Sequence, residues 1–171
     1  NDHFNGDKIS IQKIVNEIDE KGFSKTFKLN ENIKKKILFE CLTNGEFETK
    51  KITSNINIGS LKISENESLD NYINKLKKYK ISRITKTINL DSKESTLRNV
   101  ILSKEILQIA ENYLNSKKIS INASFFISNP LKISESEKYR NAQYFHWDND
   151  FTKFFKMYIY LNDVTDNNGP H

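Results

Sequence analysis

Near residue 115 the spacing of apolar residues switches from the helical period to the strand period, and this switch constrains the fold more than any other feature. Upstream, in KEILQIAENYLN, the residues Ile106, Leu107, Ile109, Ala110 and Leu114 share one face of a helix of about three turns, with Ser103 placed to cap it. Downstream, KISINASFFIS, AQYFHWD and FKMYIYLNDV are β-branched and aromatic, separated by turn signals, and predict three closing strands. The first of them alternates Ile119, Ile121, Ala123, Phe125 and Ile127 against the other parity and ends at Asn129 and Pro130. Helices first and strands last make this an α+β chain, with a mainly helical portion over 1–115 and strands over 116–171 of one domain.

Within the helical portion, Ile11, Ile14, Val15 and Ile18 recur at helical spacing and Gly22 follows as a stop. Asn30 is placed to cap a second helix by accepting from the amide of Asn32 or Ile33; Ile33, Ile37, Leu38 and Cys41 form its apolar stripe and Gly45 ends it. Lys34, Lys35 and Lys36 beside that stripe read as a solvated face. Residues 46–64 show no sustained period and read as extended or irregular. Leu69, Tyr72, Ile73, Leu76 and Tyr79 mark a third helix, and SRITKTINL alternates as a strand before Asp91 and Ser92.

Composition narrows the function classes. Lys+Arg 27 against Asp+Glu 22 gives 27 − 22 = +5, but Ile, Lys and Asn at 22, 24 and 22 residues make the basic balance a matter of coding bias rather than of a nucleic-acid footprint. Arg83, Arg98 and Arg140 are the arginines, few for bidentate recognition of phosphates or bases, so no nucleic-acid partner is expected. A single cysteine, Cys41, excludes an internal disulfide and a CxxC metal or redox motif, which makes the cytoplasm the default compartment. No apolar run reaches the roughly 20 residues of a membrane helix, so no membrane partner is expected either.

The chemistry-bearing tripeptide is His146-Trp147-Asp148. In a strand, residues two apart project to one face about 6.5–7 Å apart along the chain, so an imidazole and a carboxylate can close on one ion while Trp147 points away. Those two donors are two-thirds of the facial triad that holds non-haem Fe(II) and leaves positions open. Alone, HxD is a common sequence. Downstream, however, Phe155, Met157, Ile159 and Leu161 share one parity and Lys156, Tyr158 and Tyr160 the other. In an ordinary sheet the second set faces water; in a barrel it lines the cavity, where aromatic and cationic groups suit an anionic cosubstrate.

AQYFHWDND followed by FKMYIYLNDVTDNNGPH resembles the phytanoyl-CoA dioxygenase family of Fe(II)- and 2-oxoglutarate-dependent oxygenases. In that family the HxD strand precedes a K-x-[FY]-x-Y-L-x-D-V strand and a turn containing NGP, matched here by Lys156, Tyr158, Tyr160, Leu161, Asp163 and Val164, then Asn168, Gly169 and Pro170. The resemblance covers about residues 103–171, because EILQIAENYLN also looks like the helix leading into the family's barrel. It implies a double-stranded β-helix, or jelly-roll, core on which the helical portion packs, truncated here after its first strands. It further implies His146 and Asp148 as Fe(II) ligands, with Tyr158, Lys156 and Phe125 at the 2-oxoglutarate pocket. Gln143 matches a glutamine often found three residues before the ligand His, on the opposite face unless the strand is bulged.

The resemblance places the third ligand, a distal His, and the Arg that pairs with the far carboxylate of 2-oxoglutarate beyond His171. His171 follows the turn directly and is not expected to be that ligand, and His3 is read as a surface residue. A carboxylate at Asp148 occupies the position that related halogenases leave open for chloride, so hydroxylation of a small organic substrate is the implied reaction. The alternative is a jelly-roll protein that binds a metal or a small acid without turnover. Unpaired edges of a truncated barrel also predict a homo-oligomer.

Overall fold

The computed structural model describes residues 4–5, 10–25, 27–43, 74, 77–78, 83–128, 134–136 and 153–164. It is a mixture of helices and small antiparallel sheets, and the chain divides into two units. The first comprises 1–40, 89–121 and 149–161; the second comprises 41–88, 122–148 and 162–171.

In the first unit, helix α1 (Ile11–Lys21) starts at Ser10, an extended residue whose hydroxyl accepts from the Lys13 amide at 3.4 Å. The helix stops at Gly22, whose φ of +80° lies in the left-handed region and whose amide donates to the Ile18 carbonyl at 2.8 Å. Strand β1 (Phe4–Asn5) pairs antiparallel with β2 (Lys28–Leu29), a two-residue contact that leads into α2 (Glu31–Thr43). Asn30 caps α2 as its sequence requires: its side-chain oxygen accepts from the Asn32 amide at 2.9 Å. Ile37 and Cys41 are the buried members of the predicted stripe, while Lys35 and Lys36 are exposed and Lys34 pairs with Glu31 at 2.9 Å. This ion pair lies in solvent and adds little stability.

Helix α3 (Thr96–Ile101) is a further element, not anticipated in the sequence reading, and buries Leu97 and Val100. Helix α4 (Lys104–Leu114) buries Ile106, Ile109 and Ala110, all on the predicted face. It ends at Asn115, whose φ of 52° is left-handed, a conformation that asparagine tolerates better than most residues. Helices α1 and α4 pack together, so that Ile14, Val15 and Ile109 form a core flanked by Ile11, Ile18, Phe27, Tyr113 and Phe155.

A longer-range contact fixes α3. Glu40, one turn before the end of α2, accepts from the Thr96 amide at 2.7 Å through one carboxylate oxygen. Its other oxygen accepts from the Leu97 amide at 3.2 Å and the Ser95 hydroxyl at 3.0 Å. A carboxylate placed at the free amides of a helix start satisfies donors that have no partner within the helix. Ser95 adds the local cap by accepting from the Arg98 amide at 3.1 Å.

The second unit holds a sheet of β3 (Arg83–Ile88) and β4 (Ala123–Ser128). They pair antiparallel, with Arg83 opposite Ser128, Thr85 opposite Phe126, Lys86 opposite Phe125 and Ile88 opposite Ala123. Directly opposite residues share a face. One face therefore carries Lys86, Ile88, Ala123, Phe125 and Ile127; the other carries Arg83, Thr85, Thr87, Ser124, Phe126 and Ser128. On the polar face the Arg83 guanidinium lies 4.5 Å from the centroid of the Phe126 ring, its diagonal neighbour, a cation–π contact.

Three expectations meet the structure differently. The first closing strand alternates in burial from Ile119 onward, but its ladder begins at Ala123, where β3 supplies a partner. The second, AQYFHWD, lies outside the described residues. The third, from Phe155, keeps the predicted parity: Phe155, Met157, Ile159 and Leu161 are half-buried and Lys156, Tyr158 and Tyr160 exposed. Among the described residues, however, no ladder pairs it. Its alternation comes with Phe155 packing on the α1–α4 core, where the Tyr113 and Phe155 rings lie 6.1 Å apart at 54°. Of the predicted third helix, Asn74, Lys77 and Lys78 are described and helical; residues 46–64 lie outside the described residues.

Candidate functional site

The proposed ligands His146 and Asp148 lie outside the described residues, as do Gln143, His3, His171 and the NGP turn. Their fit to a ferrous ion therefore rests on the donor set, an imidazole and a carboxylate, which is the set that suits Fe(II) with open positions. Among the described residues no group of three or more His, Cys, Asp or Glu side chains converges.

Lys156 and Tyr158 are described, and they lie in the first unit on the exposed parity of the 154–161 segment together with Tyr160. Tyr158 is 49% exposed and Tyr160 46%. Partial burial pushes the Tyr160 phenol above its ordinary pKa, and the neighbouring Tyr158 phenol adds to the shift. The Lys156 ammonium sits 5.1 Å from the Phe154 ring centroid and Lys153 lies 4.4 Å from that of Tyr113, so this segment carries its cations over aromatic faces. Cation and phenols sharing one parity form a strip able to meet an anionic or aromatic ligand.

Phe125 belongs to the second unit. It is half-buried on β4, and the register sets it directly opposite Lys86. Sequence reasoning did not single out Lys86, although the signal was present: in SRITKTINL, Lys86 shares parity with Ile84 and Ile88. Lys86 is 2% exposed. Burial pushes its amine below the ordinary lysine range, and the charge of Cys41, itself buried, pulls it partly back. Lysines seldom enter an interior completely, since the ammonium usually reaches water along its flexible stem.

Among the described residues no helix is long and apolar enough to cross a membrane. Compared with protein-family models, with curated proteins and with solved structures, the chain has no match in any of the three.

Proposed function

We propose that the chain belongs to an Fe(II)- and 2-oxoglutarate-dependent dioxygenase that hydroxylates a small organic substrate, with a jelly-roll core of the phytanoyl-CoA dioxygenase kind. The observation that carries this reading is the coupling of His146-Trp147-Asp148 to Lys156-x-Tyr158-x-Tyr160-Leu161-x-Asp163-Val164 and an Asn168-Gly169-Pro170 turn, in that order and spacing. The period-two burial of residues 155–161 supports it, since a barrel strand has an inner and an outer parity.

In this reading the His146 imidazole and the Asp148 carboxylate hold the metal, and the charge of Asp148 lowers the net charge of the site. Lys156 supplies a cation for a carboxylate of the 2-oxo acid, Tyr158 a phenol that donates to it, and Phe125 an apolar wall. The bound iron and 2-oxoglutarate supply activation of dioxygen, coupled to decarboxylation to succinate. The chain's own residues bind and orient.

The test is succinate formation from 2-oxoglutarate with Fe(II) under air, read together with anaerobic Fe(II) binding. His146→Ala and Asp148→Ala are each expected to weaken Fe(II) binding by at least about 100-fold, beyond the loss usual for residues that merely support a ligand. Iron bound at this pair without succinate points to the non-catalytic binder. Fe(II) affinity unchanged in both variants overturns the reading altogether.

A further inference from the structure

We infer that Lys86 is an anion-binding residue, its ammonium holding a carboxylate of a small organic acid on the enclosed apolar face of the β3–β4 sheet. Three observations carry this. The register sets Lys86 in mid-strand, opposite Phe125 and diagonal to Ala123 and Ile127, so the described residues around it on that face are apolar. The side chain is 2% exposed, so its head does not reach solvent as surface lysines do. The opposite face of the same two strands holds Thr85, Thr87, Ser124 and Ser128, which shows that the sheet has a polar face on which a lysine is readily accommodated.

An ammonium inside an apolar face favours ligands that bring the opposite charge with them, because each ion lowers the cost of desolvating the other. A carboxylate matches one ammonium in charge, whereas a phosphate dianion leaves a negative charge uncompensated. Apolar neighbours such as Phe125 and Ile127 suit the short aliphatic chain of such an acid. Lys86 already interacts with its surroundings, and a carboxylate would add to those interactions or replace them. The low-lying amine is consistent with this, since an amine poised by burial regains its proton when an anion arrives.

This deepens the proposed function, resting on Phe125 as a wall of the acid's pocket, and it assigns the acid a cation within residues 83–88. The probe is succinate in the absence of iron, because succinate has no 2-oxo group and needs no metal to bind. In protein carrying 13C at lysine Cε, the Lys86 resonance is assigned by its disappearance in Lys86→Arg. It is expected to move on titration with succinate and to stay fixed with succinamide, and Lys86→Met is expected to bind succinate at least tenfold more weakly.

A Lys86 resonance unmoved by succinate overturns the proposal, and so does a Met variant that binds succinate as tightly as the parent. Inorganic phosphate acting as strongly as succinate overturns the carboxylate assignment. If the Met variant does not fold, the titration of the parent protein decides. Loss of the iron reading registers separately, in Fe(II) binding at His146 and Asp148, and leaves this titration unaffected.

Discussion

Replacing Glu40 removes one carboxylate and unsettles two helices. Three donors depend on it: the amides of Thr96 and Leu97 and the hydroxyl of Ser95. In Glu40→Ala the two amides lose their acceptor in a partly buried setting, at about 1–3 kcal/mol for each group left unsatisfied. Water reaches part of this site, since Glu40 is half-buried, so the lower part of that range applies and the total is about 2–3 kcal/mol. With a urea m value of about 2 kcal/mol/M, the midpoint of unfolding falls by about 1–1.5 M.

Glu40→Gln keeps one acceptor oxygen but loses the charge and turns an NH2 toward donors, for about 1–2 kcal/mol. The pH dependence separates charge from shape. Burial raises the Glu40 carboxyl, but the hydrogen bonds from Thr96, Leu97 and Ser95 outweigh it and hold the pKa below the ordinary 4.5. A depressed folded-state pKa means stability that is fully present above the unfolded value and is lost as pH falls through the folded one. The gap between parent and Glu40→Gln is therefore expected to stay constant above about pH 5 and to close as the pH drops below 4.5. Urea melts at pH 7, 5, 4 and 3 measure it. Equal midpoints at pH 7, or a gap that does not shrink in acid, refute the capping role.

Two N-cap serines are expected to respond in opposite directions to alanine. Ser95→Ala loses its bonds to Arg98 and Glu40 and costs about 1 kcal/mol, whereas Ser103, 8% exposed with an unpartnered hydroxyl and no cap bond, is neutral or stabilised by up to about 1 kcal/mol, as thermal melts of both variants will show. Gly22→Ala is expected to cost about 1–2 kcal/mol from backbone conformation alone, because an added Cβ meets nothing within 4 Å; Gly22→Asn should recover part of that in the same assay. Ile109→Ala, at a position 1% exposed between α1 and α4, is expected to cost about 2–5 kcal/mol, and a loss below 1 kcal/mol in urea would show that this interface does not hold the unit together.

The elements that could be read from the sequence are those whose signals are local. Ser10 and Asn30 as caps, Gly22 as a stop and the apolar stripe of α4 need only neighbours three or four residues away. Helix α3 is six residues long, too short to show a period, although Ser95 followed by Leu97 and Val100 marks it in retrospect. Strands β1 and β2 are two residues each and exist through their pairing, which no local pattern encodes. The clasp of Glu40 on Ser95 spans 55 residues and has no signature in sequence at all. At the candidate site, parity separated Lys156, Tyr158 and Tyr160 from Phe155 and Met157 correctly. The same rule applied to SRITKTINL would have drawn attention to Lys86, which was passed over because a lysine in a strand is ordinarily taken to face water.

Between the paired strands β3 and β4 the chain makes an excursion from Asn89 to Asn122, through α3 and α4, before returning to the sheet. Closing such an interval costs about 2 kcal/mol more in chain entropy than closing a four-residue hairpin turn. Helices wound early shorten the interval and lower that toll, so the rate at which the ladder zips is coupled to how readily α3 and α4 wind. A substitution that weakens either helix, far from any strand, should therefore delay the arrival of Phe125 opposite Lys86.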